Sequence, residues 1–135
     1  MNNEREIVLK VIENSIAWAK TKDTALLYSC FADDENLFWF TPEADGTTHG
    51  FNNFQKQVNS FFLDKRFKAV GHEIREMKID FSKNNDVAWW SCMLDDMNEW
   101  DGRSASWENV RWTGVLEKRR EKWVIVQMHF SYGKK

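Results

Sequence analysis

A carboxylate that follows a run of aromatic residues is the first group in this sequence that could do chemistry. Asp95 comes directly after residues 87–94, a mostly apolar segment that contains two tryptophans. Burial among aromatic rings raises the pKa of a carboxyl group, and a carboxylate tuned in this way can act as a general base. Tyr28 could donate a hydrogen bond to an oxyanion. The more ordinary interpretations stay open: Asp95 and Asp96 lie in water near a strand end, and Tyr28 is a core or rim residue.

Histidine and cysteine side chains are the other groups that could bind a metal or carry a reaction. The three histidines and two cysteines are far apart and lack the spacing of metal ligands, so we expect no metal and no cofactor. His49 and His72 are interpreted as exposed residues. Cys30 and Cys92 are too few for a disulfide framework, and residues 1–10 contain no apolar run of signal length. The sequence therefore predicts a cytoplasmic protein with free thiols.

Charge and composition exclude several kinds of partner. The 135 residues include 19 basic and 21 acidic side chains, for a formal net charge of −2, so no basic face for nucleic acid is indicated. No stretch approaches the roughly 20 apolar residues that span a membrane. Aromatic residues make up 15%, more than a small core usually needs, which predicts a wide hydrophobic wall at a cavity or an interface. We expect one domain over residues 1–135.

Two helices are predicted at the N-terminus. Asn3 and Glu6 have the spacing of a capping box, and apolar residues then recur at helical intervals, which predicts a helix from about Glu4 to Ala19. Residues 21–23 interrupt this pattern and offer a cap for a second, shorter helix. The apolar residues of that helix are Leu26, Leu27 and Phe31.

A hairpin and a third helix follow. The apolar run Leu37–Phe40 and the turn-forming pair Asp45–Gly46 predict a small two-stranded hairpin. Asn52 and Gln55 repeat the capping pattern and predict a third helix that ends near Lys65. Its apolar face is broad and mostly aromatic, and comprises Phe54, Val58, Phe61 and Phe62.

From Phe67 onward the sequence has the alternation of β-strands. A first strand ends at the turn of residues 83–86. Asp101–Gly102 and a hairpin at residues 118–121 join the strands that follow. These are long enough to curl, and their predicted bounds are Val87–Glu99, Ala105–Leu116 and Trp123–Tyr132. Helices followed by a sheet indicate the α+β class.

The two faces of the last hairpin follow from its register. Pairing Leu116 with Val124 aligns the apolar positions of the two strands. The face that the helices should cover then comprises Val110, Trp112, Gly114, Leu116, Val124, Val126, Met128 and Phe130. The opposite face mixes large apolar and hydrogen-bonding groups, and comprises Trp107, Asn109, Arg111, Thr113, Val115, Trp123, Ile125, Gln127, His129 and Ser131.

This second face predicts a homodimer. A monomer would expose a sizeable patch that includes Trp107 and Trp123, which a single soluble domain seldom tolerates. The alternative is that the sheet curls enough to bury the patch within one chain. His129 could act as an acid or base near neutral pH, but the alternation favours a role in the interface. The predicted interface residues are Trp107, Arg111, Trp123, Gln127 and His129.

Two segments carry a resemblance to a known family. Residues 40–46, FTPEADG, and residues 117–133, EKRREKWVIVQMHFSYG, resemble the association domain of calcium/calmodulin-dependent protein kinase type II. That domain belongs to the SnoaL-like, or nuclear transport factor 2-like, superfamily. The resemblance implies a cone-shaped curved antiparallel sheet with three N-terminal helices closing over a pocket, a cystatin-like roll. The superfamily includes isomerases, dehydratases, cyclases, transport factors and assembly domains, so the resemblance implies no single activity.

The resemblance also implies where a pocket lies. Glu13 matches a pocket-facing glutamate of the association domain, whereas its anion-binding arginines fall on Ser91, Gly114 and Phe130. A mostly apolar ligand therefore fits better than a small carboxylate. The resemblance further places Asp95 inside the cone, together with Trp89, Ser91 and Met93. The predicted pocket residues are Trp18, Phe31, Phe38, Phe54, Val58, Phe62, Trp89, Ser91, Trp112, Gly114, Met128 and Phe130.

The expected function is the binding of a small, largely hydrophobic molecule in this pocket. Ketosteroid-isomerase-like proton transfer, of isomerase or lyase type, is the chemistry that the resemblance implies, with Asp95, Glu13 and Tyr28 as candidate catalytic residues. The alternative is a non-catalytic module for homo-oligomerisation, like the association domain itself.

Overall fold

A computed structural model describes residues 3–134, which begin with a helical arm. Helix α1 spans Asn3–Ala17 and continues as a 3-10 turn, Trp18–Lys20, which confirms the first predicted helix. Helix α2 spans Thr24–Ser29. The carboxylate of Asp23 accepts a hydrogen bond from the backbone N–H of Leu26 at 3.1 Å, so the predicted cap of α2 is confirmed as well.

The third helix differs from the prediction at both ends. Helix α3 spans Phe51–Gln57 and continues as a π-helical turn, Val58–Phe62. Asn52 is not its cap: Gly50 precedes the helix with a φ of 89°, and no side-chain cap occurs there within residues 3–134. The chain needs a left-handed residue at this point, and glycine supplies it without steric cost. Asn3 likewise lies within α1 rather than before it.

The strands form one strongly curled sheet. Their bounds are β1 Phe38–Phe40, β2 Thr47–His49, β3 Phe67–Phe81, β4 Val87–Trp100, β5 Arg103–Ser104, β6 Trp107–Arg119 and β7 Lys122–Tyr132. Their order in the sheet is β2-β1-β7-β6-β4-β3, with β5 paired to β4. The pairing of β1 with β7 is parallel, so the sheet is mixed rather than wholly antiparallel. The α+β class, the hairpin and the curled sheet with its N-terminal helices agree with the sequence prediction.

The predicted register of the last hairpin is wrong by one residue. Leu116 lies opposite Ile125, not Val124, because a bulge precedes it in the sheet. Residues 120–121 both have positive φ, as in the two-residue turns that match the twist of a hairpin, and this tight turn fixes the register. Trp123 and Ile125 consequently point into the core, where they are 2% and 0% exposed. The exposed patch expected from these residues does not exist.

A second irregularity turns the start of β6. Leu94 pairs with Val110, whereas Asp96 pairs with Trp107, so β6 contains one residue more than β4 between these pairs. Asn109 takes up the extra length with a φ of 56°. The bulge rotates Trp107 from the convex side, where simple alternation places it, to the concave side.

The face assignment of β4 is wrong along its whole first half. The residues expected inside the cone, Trp89, Ser91, Met93 and Asp95, alternate with the buried ones, which are Ala88, Trp90, Cys92 and Leu94. Trp89 is 44% exposed on the convex face. By the same alternation Asp96 and Asn98 point into the concave side.

Candidate functional site

A cavity of about 550 Å³ opens between the helices and the concave side of the sheet. The 3-10 turn, α3 with its π-helical turn, the β1–β2 loop and strands β4, β6 and β7 all contribute to its walls. Aromatic rings in its walls pack edge-to-face. The ring centroids of Phe31 and Phe54 lie 4.9 Å apart, and those of Trp18 and Phe62 lie 5.7 Å apart. The aromatic wall comprises Trp18, Phe31, Trp39, Phe54, Phe61, Phe62, Phe67, Trp107 and Phe130.

The deep end of the cone is filled by tryptophan. The ring of Trp90 lies directly over Gly114, where a Cβ atom would overlap the indole and would lie 2.7 Å from the carbonyl oxygen of Gln127. Trp112 packs edge-to-face on Trp90 at 5.3 Å and stacks on Phe130 at 5.5 Å. The position that the resemblance matched to an arginine is therefore a glycine covered by an indole, and neither Gly114 nor Trp90 is among the residues that line the cavity.

The predicted pocket residues fall into three groups. Those that line the cavity are Trp18, Phe31, Phe54, Phe62, Met128 and Phe130. Those that lie in the core behind it are Val58, Trp112 and Gly114. The prediction is wrong for those that point away from it, which are Phe38, Trp89 and Ser91. Trp39 was missed, although its alternation with Phe38 could have identified it.

Asp96 is the carboxylate that the sheet brings into the cavity. It lies at the polar side of the lining, beside Asn98 and Ser106. Desolvation by burial raises the pKa of Asp96, while a hydrogen bond from Asn98 and the charge of His72 act in the opposite direction. His72 is its direct cross-strand neighbour on β3. The result is a partly exposed carboxylate, open to the cavity, that holds its proton more tightly than an ordinary aspartate.

Asp95 occupies the convex face instead, so its predicted place in the pocket is wrong. Its carboxylate lies 2.8 Å from a guanidinium nitrogen of Arg75 and accepts the backbone N–H of Asn109 at 2.8 Å. The Arg75 guanidinium, followed by the Asn109 hydrogen bond, lowers the pKa of Asp95. This carboxylate is bound and ionised, and it holds the β6 bulge in place.

The other two candidate catalytic residues do not reach the cavity lining. Glu13 is half-buried on α1 but does not line the cavity. Tyr28 packs edge-to-face against Phe51 at 5.4 Å and Phe54 at 5.7 Å, and burial raises the pKa of its hydroxyl. Tyr28 is thus part of the aromatic packing behind the wall, as the more ordinary interpretation held.

The mouth of the cavity is closed on one side by the β1–β2 loop. Glu43 accepts a hydrogen bond from the indole N–H of Trp107 at 3.1 Å. Thr41 donates its hydroxyl to the carbonyl of Gly46 at 2.9 Å and so closes the loop on itself. Tyr132 also lines the mouth, and desolvation, followed by the charges of Glu43 and Glu108, raises its pKa.

The predicted interface residues fall into two groups, those on the inner side of the sheet and those exposed on its convex side. Trp123 is buried and Trp107 lines the cavity, so both are wrongly assigned to the outer face. Arg111, Gln127 and His129 are exposed on the convex side, and Arg111 bonds to the hydroxyl of Ser131 at 3.2 Å.

The described residues offer little other chemistry. Burial raises the pKa of Cys30 to about 11 and that of Cys92 to about 12, so neither forms a thiolate readily at neutral pH. Within residues 3–134, no cluster of three or more His, Cys, Asp or Glu side chains is arranged to hold a metal ion. No helix in this range is both long and apolar enough to cross a lipid bilayer.

Comparison with known proteins shows the family to which this chain belongs. The SnoaL-like domain family matches residues 8–134. The chain belongs to this family. No curated protein matches the sequence.

Solved structures share the fold at low identity. A nuclear transport factor 2-like superfamily protein from Salmonella enterica is 18% identical with a TM-score of 0.79, covering 98% of this chain and 92% of that one. A protein described as a calcium/calmodulin-dependent kinase II association domain, from Exiguobacterium sibiricum, is 6% identical with a TM-score of 0.78, covering 100% and 97%. A hexachlorocyclohexane dehydrochlorinase is 15% identical with a TM-score of 0.77, covering 96% and 85%. Such similarity shows the nuclear transport factor 2-like fold of this SnoaL-like protein.

Proposed function

We propose that this SnoaL-like protein binds a small, largely apolar molecule in its cavity and that Asp96 removes a proton from it. The observation that carries the proposal is the position of Asp96: a carboxylate with a raised pKa, in the lining of a cavity whose surface is mostly apolar. A cavity of about 550 Å³ lies in the size range of small-molecule sites. A similar fold carries an elimination enzyme, the dehydrochlorinase, so the fold is compatible with such chemistry.

The chemistry would begin with proton abstraction next to a carbonyl. The Asp96 carboxylate takes the proton from carbon, the C–H electron pair forms a C=C bond to the carbonyl carbon, and the C=O π pair moves to the carbonyl oxygen. The amide of Asn98, two residues along the same face, can donate a hydrogen bond to that oxygen. Returning the proton to another carbon completes an isomerisation, and loss of a leaving group from the next carbon completes an elimination.

Proton transfer can be measured without knowing the natural substrate. 2-Naphthylacetone in deuterium oxide exchanges the protons next to its carbonyl, and proton nuclear magnetic resonance follows the exchange. We expect the protein to accelerate this exchange and the D96N variant to lose about 100-fold of the acceleration. D95N is the matched control, because the same substitution one residue away alters the convex face, and it should retain the full rate.

Native mass spectrometry of the purified protein tests binding independently. A retained apolar molecule would support the cavity as the working site. Exchange at the same rate with wild-type protein and D96N would remove the proton transfer from the proposal, and a bound molecule would then indicate a carrier rather than an enzyme.

A second candidate function is homo-oligomerisation through the convex face. Trp89 and Phe40 are 44% and 46% exposed there, and the ring of Phe40 packs against His129 with centroids 5.4 Å apart. Sedimentation of wild-type protein and Q127E tests it, since a charge at this exposed position would weaken a dimer that forms on this face. A monomer in both cases would contradict the dimer.

A further inference from the structure

The charged side chains that line the cavity have one sign. His72, the cross-strand neighbour of Asp96, lies outside this lining. Within residues 3–134, the acidic side chains of the lining are Glu43, Asp45 and Asp96, and no lysine, arginine or histidine is among the lining residues. Lys22 and Arg66 contact aromatic rings near the rim but are not themselves lining residues. Lys22 donates to the backbone carbonyl of Asp64, and Arg66 forms an ion pair with the Asp64 carboxylate. An anion in this cavity would meet repulsion, whereas a cation would meet attraction.

Trp107 brings the carboxylates and the aromatic wall together. Its indole N–H is bonded to Glu43 at 3.1 Å, and across the sheet it lies directly opposite Asp96. The ring itself packs against Phe130 with centroids 5.1 Å apart. Desolvation is the main cause of the raised pKa of Tyr132 at this side of the cavity, and the charges of Glu43 and Glu108 add to it.

We propose that the ligand of this cavity is a hydrophobic amine that is protonated at neutral pH. The inference rests on the proposed binding function and adds the charge of the ligand to it. The apolar body packs on the phenylalanine rings, and the ammonium group lies near Trp107, between Glu43 and Asp96. An ammonium over an indole face gains a cation–π interaction, and the neighbouring carboxylates replace part of the water that it loses.

Three probes with one apolar body separate charge from hydrophobicity. They are 2-(1-naphthyl)ethylamine, 2-(1-naphthyl)ethanol and the carboxylate 1-naphthaleneacetate, which are cationic, neutral and anionic at pH 7. Calorimetric titration of the whole protein at low salt should show the amine binding about tenfold tighter than the alcohol, and the acid weakest. The preference should decrease at high salt because the charges near the mouth are screened.

Isosteric variants locate the charge. Glu43→Gln and Asp96→Asn should each reduce the preference for the amine over the alcohol several-fold, because each removes one acidic group from the lining. Asp95→Asn removes one negative charge from the opposite face and should leave the preference unchanged. Asp45→Asn gives a further lining variant if either of the first two fails to fold.

The outcomes distinguish the two proposals. If the alcohol binds and the amine binds no tighter, the charge inference is overturned and the apolar binding site stands. If the acid binds best, the inference is likewise wrong. If none of the three probes binds and native mass spectrometry finds no retained molecule, the proposed binding function fails, and the inference fails with it.

Discussion

The two faces of strand β4 have different surroundings. Asp95 lies on one face and Asp96 on the other. Asp95 is held by Arg75 on the convex face, where the ion pair lowers its pKa. Asp96 lines the aromatic cavity, where desolvation raises its pKa. The pKa values of two identical side chains that are adjacent in sequence are thus shifted in opposite directions, because alternation along the strand places them on opposite faces of the sheet.

The comparison shows that the face, rather than the residue type, decides which group can do chemistry. A carboxylate bound by guanidinium is stable as an ion and is a poor base. A carboxylate in an apolar wall binds protons more readily and has a base strength closer to what proton transfer requires. Substitutions on the two faces should therefore differ in effect wherever matched pairs of residues exist.

The largest difference is expected for two tryptophans. Trp112 on the concave face is 0% exposed, whereas Trp89 on the convex face is 44% exposed. Trp112→Ala should lower the free energy of unfolding by about 3–5 kcal/mol, because it leaves a large cavity in the core. Trp89→Ala should change it by less than about 0.5 kcal/mol. Urea denaturation measures both, and a large loss in W89A would indicate that the convex face is buried against a second chain.

Two glycines provide the next contrast. A methyl group at Gly114 would overlap the Trp90 ring, whereas one at Gly71, in the bulge of β3, meets no atom within 4 Å in the described structure. Gly114→Ala should destabilise the fold by about 1–3 kcal/mol, because it forces Trp90 out of its position. Gly71→Ala should have almost no effect on the denaturation midpoint. Equal effects would show that Trp90 does not pack on Gly114.

The paired aspartates should give opposite pH dependences. The pKa of Asp95 is lowered in the folded protein, so its contribution to stability is present near neutral pH and is lost as pH falls through the folded pKa. The pKa of Asp96 is raised, so the stability linked to its protonation is present at low pH and is lost as pH rises through the folded pKa. His72 across the strand pair opposes this shift, and it does not reverse it.

At pH 7, therefore, D96N should be more stable than the wild type by the order of 1 kcal/mol, and D95N should be less stable. Denaturation midpoints between pH 3 and pH 8 test both signs. A stabilised D95N variant would mean that the Arg75 ion pair does not form.

Alternation in the strands and apolar spacing in the helices predicted the elements well, because both patterns are local, and the strand bounds differ from the prediction by a few residues. Of the predicted caps, only the one within residues 21–23 is confirmed, with Asp23 capping α2. The faces of the strands could not be predicted in the same way. A bulge next to Leu116 and another at Asn109 each exchange the two faces beyond them, and nothing in the alternation itself marks an inserted residue.

These bulges made the site residues harder to predict than the fold. The aromatic residues of the helices were placed correctly because a helical face is broad, and Phe54 and Phe62 line the cavity. Asp96 was passed over because the resemblance supplied the wrong strand face. Trp107 and Glu43 meet only through the tertiary fold, 64 residues apart in sequence, so no local pattern could pair them.

The smallest expected change concerns this contact. Trp107→Phe keeps an aromatic ring at the cavity wall and removes only the N–H that binds Glu43, whose side chain is solvent-exposed, so stability should fall by less than about 1 kcal/mol. The β1–β2 loop then loses its link to β6 and should open more often, so naphthyl probes should dissociate several-fold faster in stopped-flow fluorescence.

Trp123→Phe is the control, because Trp123 also donates to a glutamate, Glu4, but lies away from the cavity. It should cost more stability, since Trp123 is buried, and leave the dissociation rate unchanged. Faster dissociation in W123F but not in W107F would show that the Glu43–Trp107 hydrogen bond does not control access to the cavity.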